Sequence, residues 1–206
     1  DAARVNARAL VRLEEHLGMG WEGAVQALVI DHWTVVRIVN AVYMYGHWPV
    51  IALTLGLLFA RAPDRFYLLR NAMFVSGAIG LVIFALVPVA PPRLGVLDLV
   101  DTVTQGTGEY RTLQPPGLIN RYAALPSLHF GWNLLVGIAL WHATRNPWLR
   151  AAAVAVPIAM AFAVVATANH YVIDVIAGGA VALVGLAVAS RLPAIIPTPR
   201  WARPRP

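Results

Sequence analysis

The chain has 206 residues, of which 59% are hydrophobic and only 13% charged, with a mean hydropathy of +0.65. Soluble domains carry about a quarter charged residues, so this composition excludes an ordinary soluble globule and points to apolar surface facing lipid. The absence of cysteine excludes a disulfide framework and a thiolate metal site, and all 16 basic residues are arginine, giving a net charge of +6 whose distribution argues for membrane topology rather than nucleic-acid binding.

The chain begins at Asp1 rather than Met and shows no signal-peptide pattern, so an additional span before Asp1 is an expectation of this reading. From Arg4 to Leu17, Val5, Ala9, Leu13 and Leu17 recur at helical spacing opposite Arg4, Arg8, Arg12 and Glu15. The pattern predicts an amphipathic helix on the membrane surface. Trp21–Val39 is apolar but interrupted by Asp31, His32 and Arg37, consistent with an interfacial segment or one packed on a bundle.

Five apolar segments then follow: Val42–Ala60, Phe66–Val87, Leu128–Ala143, Leu149–Ala168 and Tyr171–Ser190. Each approaches the roughly 20 helical residues that cross a hydrocarbon core, and all should be helices because an open strand cannot satisfy its backbone in lipid. The third is short and is expected to extend backward toward Pro126. The predicted fold class is all-α, a polytopic membrane helix bundle. Its expected divisions are an N-terminal amphipathic region (1–41), a membrane catalytic domain (42–190) and an Arg/Pro-rich tail (191–206).

Arginine counting orients the bundle. With the first span running inward, the inner loops and tail hold nine arginines against one acid, Asp64; the outer segments hold seven arginines against eight acids. The tail is therefore expected on the cytoplasmic side of a bacterial plasma membrane. The long loop 88–126, rich in proline and glycine, is expected outside it, where it fits either a linker or a lid over an active site.

Three groups of residues fall at that outer face: Pro91-Pro92-Arg93 after the second span, Pro126-Ser127-Leu128-His129 opening the third, and His170 to Asp174 opening the last. Four residues apart on a helix, His170 and Asp174 share a face. A carboxylate there can hold one imidazole nitrogen and leave the other free to attack. A buried His–Asp pair with a purely structural role is the plainer alternative, but ionisable groups at membrane helices are costly and usually functional. His129 is a candidate proton donor to a leaving alkoxide. Ser127 and the amides of that helix start could bind phosphate oxygens. Arg93 and Arg121 are candidate phosphate clamps, with headgroup contact as the alternative, which is preferred for Arg111. His47, after Tyr43 and Tyr45 at an outer helix start, is a candidate pocket residue together with Tyr43. Trp48, Trp132 and Trp148 read as interfacial anchors and Gly178 and Gly179 as close-packing positions.

The segments APPR at 90–93, PSLH at 126–129 and ANHYVIDVIAG at 168–178 resemble the type 2 phosphatidic acid phosphatase superfamily, and within it the inositol phosphorylceramide synthase-like branch. The resemblance spans about the last 120 residues. It implies a six-helix membrane core, catalysis without metal or other cofactor, and a phosphohistidine intermediate, with His170 as nucleophile, Asp174 its partner and His129 the acid–base. It also implies a lipid phosphate substrate and, for transfer rather than hydrolysis, an alcohol acceptor such as inositol or a sugar. One departure stands out: the phosphatase branch has an arginine six residues before the nucleophile, where this chain has Val164, so phosphate binding falls to Arg93 and Arg121. Two readings from other classes compete. One is a metal-dependent hydrolase using the two histidines and the aspartate as ligands. The other is a transporter or scaffold, with Pro157 kinking the fourth span and Asn133 and His142 adding polarity to the third.

Overall fold

A computed structural model describes residues 2–106 and 120–192. Among them the chain is helical, without strands: α1 (Ala2–Leu17), α2 (Glu22–Ala27), α3 (Trp33–Tyr45), α4 (Trp48–Arg61), α5 (Pro63–Leu86), α6 (Thr102–Gly106), α7 (Leu128–Ala143), α8 (Pro147–Ala166) and α9 (Val172–Ala189). This is the all-α membrane bundle expected. Arg111, the segment 115–117 and most of the tail lie outside the described residues.

Local chemistry sets the helix starts. Proline stands in the first turn of α4, α5 and α8, where its missing N–H costs nothing. Asn146 caps α8 through the amides of Trp148 and Leu149, and Ser127 caps α7 through Phe130. That cap stops α7 at Leu128, so the helix does not extend back to Pro126. Its 16 residues span about 24 Å at 1.5 Å per residue, short of the full hydrocarbon thickness.

Helices α5, α8 and α9 are each long and apolar enough to cross a membrane, and α3 with α4 forms a further candidate bent by 47°. The continuous first span expected over Val42–Ala60 is therefore broken at Gly46–His47. Gly46 packs under Met160 of α8, where a side chain would meet that methionine and the Val42 carbonyl. The break turns His47 into the bundle instead of leaving it in a helical ladder.

Helix α7 lies at the centre, against α8 on one side and α9 on the other, while α5 packs along α9. Glycines make these approaches close. A side chain at Gly185 would sit 2.6 Å from the Ala72 carbonyl of α5, and one at Gly178 would overlap the Ser127 backbone. Leu58, Leu69, Met73, Leu135, Val136 and Leu140 form the main core. Leu53, Phe74, Leu81, Leu86 and Ile158 point outward, as lipid-facing residues do.

The N-terminal region differs from its expected form. Helix α1 buries Ala3, Ala7, Leu10 and Glu14 and leaves Val5, Leu13 and Leu17 exposed. Its small-residue stripe docks on the bundle because alanine lets backbones approach: the Ala3 carbonyl accepts from Ala90 N (3.1 Å), and Asn6 Nδ2 donates to the Pro88 carbonyl (2.9 Å). Helices α2 and α3 pack on α8, so Trp21–Val39 belongs to the bundle, and the boundary expected at 41/42 falls inside α3.

Candidate active site

The chain reverses between α8 and α9 in five residues. The Val164 carbonyl accepts from both Asn169 N (3.1 Å) and His170 N (3.0 Å), and Thr167 Oγ1 donates back to Ala163 (2.7 Å). Ala168 takes a left-handed conformation, φ 57°, which a residue with a Cβ adopts only when its surroundings hold it there. They do: the Ala168 carbonyl accepts Arg93 N at 2.9 Å. Val164, standing where an arginine was looked for, is fully buried, and its backbone forms this turn.

His170 emerges from the turn before α9 begins, not on the helix as its spacing from Asp174 implied. Its ring is buried. Nδ1 lies 2.8 Å from the Ala124 carbonyl and 3.4 Å from Asp174 Oδ2. A carbonyl can only accept, so Nδ1 carries the proton and Nε2 keeps its lone pair. The shorter, orienting bond is thus to a loop carbonyl, and Asp174 is the flanking charge. Asp174 Oδ2 also accepts Tyr171 N (2.9 Å), which ties the carboxylate to the first turn of α9. The Asp174 carbonyl accepts Ser127 N (2.9 Å), locking the starts of α7 and α9 together.

His129 projects from the first turn of α7, with its ring centroid 5.9 Å from that of His170 and the planes tilted by 56°. Tyr43 stacks on it at 4.9 Å and His47 lies 4.4 Å away, so both pocket candidates are brought to the site. Asn133 Nδ2 donates to the His129 carbonyl (2.8 Å) and meets His47 Nδ1 at 3.1 Å. Because the amide nitrogen must face that carbonyl, His47 Nδ1 is the acceptor and its Nε2 carries the hydrogen. Trp132, expected as an interfacial anchor, stacks on His47 at 5.8 Å and donates from Nε1 to Ser76 Oγ (3.2 Å).

The phosphate-binding candidates divide. Arg93 sits in a single 3-10 turn, Pro92–Leu94, closed by Gly95 at φ 79°. Its Nε is 3.7 Å from Asp101 Oδ2, while Nη1 is buried with no partner among the described residues. A buried guanidinium donor without an acceptor is costly, and an anion would satisfy it. Ser127 is buried, and its hydroxyl caps α7 at 3.4 Å from Phe130 N. Arg121 is exposed in the turn before Ala123, with no contact to His129, His170 or Asp174 among the described residues.

Sequence reading missed Ala124, whose role belongs to its backbone, and two buried glutamates. Glu14 Oε1 accepts Ile173 N (2.7 Å) and Glu22 Oε1 accepts Val172 N (2.8 Å). A signal existed: Glu14 continues the Ala3, Ala7, Leu10 stripe, an acid on an otherwise apolar face. Among the described residues, no three histidine, aspartate or glutamate side chains converge as metal ligands.

The sequence profile of the PAP2 superfamily matches residues 8–188. The fold is similar to the crystal structure of Aquifex aeolicus LpxE, with a TM-score of 0.61 and 12% identity over 77% of this chain and 87% of that one. No protein of curated function matched the sequence significantly.

Proposed function

Because this chain belongs to the PAP2 superfamily, we propose that it is an integral membrane lipid phosphatase or phosphotransferase working through a phosphohistidine at His170. Superfamily membership and the lipid-facing bundle support the membrane lipid phosphatase; hydrolysis against transfer, and the inositol phosphorylceramide synthase-like branch, are this reading's finer content. The observation that carries it is an imidazole whose Nδ1–H is tied to the Ala124 carbonyl, facing a second imidazole with centroids 5.9 Å apart.

The Nε2 lone pair of His170 attacks phosphorus, and the P–O bond to the lipid breaks. His129, entering the step protonated, passes its proton to the departing oxygen. As the N–P bond forms, positive charge grows on the His170 ring beside Asp174, 3.4 Å away, which favours that charge. Neutral His129 then takes the proton of an incoming hydroxyl. That oxygen attacks phosphorus and the N–P bond breaks. Water as acceptor gives free phosphate from a lipid phosphate monoester; an inositol or sugar hydroxyl gives the phosphate monoester of that alcohol. Arg93 neutralises the nonbridging oxygens, and its unpartnered Nη1 is the donor available for this. Arg121 would join only from the rim, where headgroups are.

The site faces away from the cytoplasm in this proposal. Arg61, Arg65, Arg145, Arg150 and Arg191 all lie at or near the helix ends opposite His129 and His170, as the positive-inside bias requires.

The test is turnover of labelled phosphatidate, polyprenyl diphosphate and a phospholipid donor by purified protein, with and without inositol. Native enzyme should release phosphate or, with inositol present, form an inositol phosphate, with vanadate inhibiting and chelators having no effect. His170→Ala should lower turnover by at least about a thousandfold. Equal turnover by the two proteins eliminates the mechanism, and loss on chelation favours a metal hydrolase.

A further inference from the structure

The five-residue turn that carries His170 is gripped from outside by the N-terminal helices. Gln26 Nε2 donates to the Ala166 carbonyl (3.1 Å) at the end of α8. One helical turn earlier on the same face of α2, Glu22 accepts from Val172 N at the start of α9. Glu14 of α1 takes the next amide, Ile173 N, at 2.7 Å. With Asp174 on Tyr171 N, the first three amides of this helix start each end on a carboxyl oxygen. Both glutamates are almost fully buried, so these are built contacts and not surface encounters.

We propose that Glu14 and Glu22 are positioning residues: a carboxyl clamp that holds the α8–α9 turn, and with it His170 and Asp174, in attacking geometry. The N-terminal helices are then part of the catalytic unit. This rests on the phosphohistidine reading for its consequence in turnover, but the clamp itself is testable without it.

The clamp holds a proton. Glu14 Oε2 is buried and no N–H or hydroxyl reaches it among the described residues. The ionisable groups facing it are Glu22 from α2, and Tyr171 and Asp174 from the start of α9, while Arg8, Arg12 and Glu15 of its own helix are exposed. Burial, then the neighbouring Glu22, push the Glu14 carboxyl up to about 8, and a proton on Glu14 is the donor between the two side chains. The folded protein therefore keeps this proton while the unfolded chain releases it from about pH 4.5 upward. Stability is full below that pH and declines as pH rises toward 8.

The experiment compares native protein with Glu14→Ala, Glu14→Gln and Glu22→Gln in detergent. The readouts are kcat and KM on dioctanoyl phosphatidate, amide exchange at Val172 and Ile173, and melting temperature against pH. Glu14→Ala should lower kcat about tenfold or more with KM little changed, and should speed exchange at Ile173, as expected for losing one buried hydrogen bond. Glu14→Gln keeps an accepting oxygen and a donor toward Glu22, so it should recover most of that kcat. It should also flatten the decline in melting temperature between pH 5 and 8. The clamp is overturned by native kcat in Glu14→Ala, by Glu14→Gln as impaired as Glu14→Ala, or by an unchanged pH slope in Glu14→Gln. If Glu14→Ala does not fold, the two glutamine variants decide through exchange and pH slope. If native protein turns over no lipid phosphate, exchange at Val172 and Ile173 still judges the clamp while the functional reading alone fails.

Discussion

The two imidazoles of the proposed mechanism stand at the starts of α7 and α9, yet the first turns of these helices are built in different ways. At α7 the capping group is local: Ser127 accepts from Phe130, three residues on. At α9 only Asp174 is local, and the next two amides are taken by glutamates about 150 residues earlier in the chain. The difference suits the roles proposed for the two histidines. His129, as the proposed proton donor and acceptor, can rest on a self-capped helix, packed by Tyr43 and His47. His170 precedes its helix, in a turn containing a left-handed alanine, and a nucleophile there stays aligned only if the turn is held from several sides.

The contact where the two starts meet offers the most damaging way to break this arrangement. A methyl at Gly178 would overlap the Ser127 backbone, and a backbone cannot swing aside as a side chain can. Gly178→Ala should therefore push α7 from α9, lower kcat by about a hundredfold and cost about 1–3 kcal/mol as overpacking does. Native turnover with an unchanged melting temperature would show that the helix starts need not touch.

A smaller effect is expected at Arg93, whose main chain holds the α9 side of the comparison through Ala168 and whose side chain is the proposed phosphate clamp. Arg93→Ala should lower kcat/KM by about ten- to a hundredfold, chiefly through KM, and Arg93→Lys should recover only part because the planar fork is lost. Steady-state kinetics on a lipid phosphate separates these. A defect confined to kcat would mean the residue serves the turn alone.

Smallest of all should be Ser127→Ala at the self-capped end. Losing the cap should cost about 1 kcal/mol, read as a lower melting temperature, while turnover falls by no more than about threefold. A drop beyond tenfold would place the Ser127 hydroxyl on phosphate, as sequence reading had it, and would make the start of α7 the more specialised of the two.

These residues also mark how far the sequence could be read. The span positions were legible to within three residues for α5, α8 and α9, because lipid demands long apolar helices and punishes interruptions. His129, His170 and Asp174 stood out as candidates because ionisable residues are conspicuous in such segments, and the fold brings them together. The break between α3 and α4 was not legible, since Gly46 acts by fitting beneath Met160, a residue 114 positions later. Nor was the docking face of α1. Its larger apolar residues, Val5 and Leu13, form the more obvious stripe, but the alanines allow the closer approach.

By itself the sequence determined the helical membrane class, the order of the spans, and which side chains are candidates for phosphoryl chemistry, because each follows from residue type and short-range spacing in an apolar chain. Only the tertiary structure decided that a loop carbonyl sets the His170 tautomer, that His47 and Tyr43 pack against His129, and that Glu14 and Glu22 bond the first amides of α9. Those roles rest on backbone groups and on partners far apart in the chain. A backbone carbonyl has no letter of its own, and distance along the chain says nothing about which buried amide a carboxylate will meet.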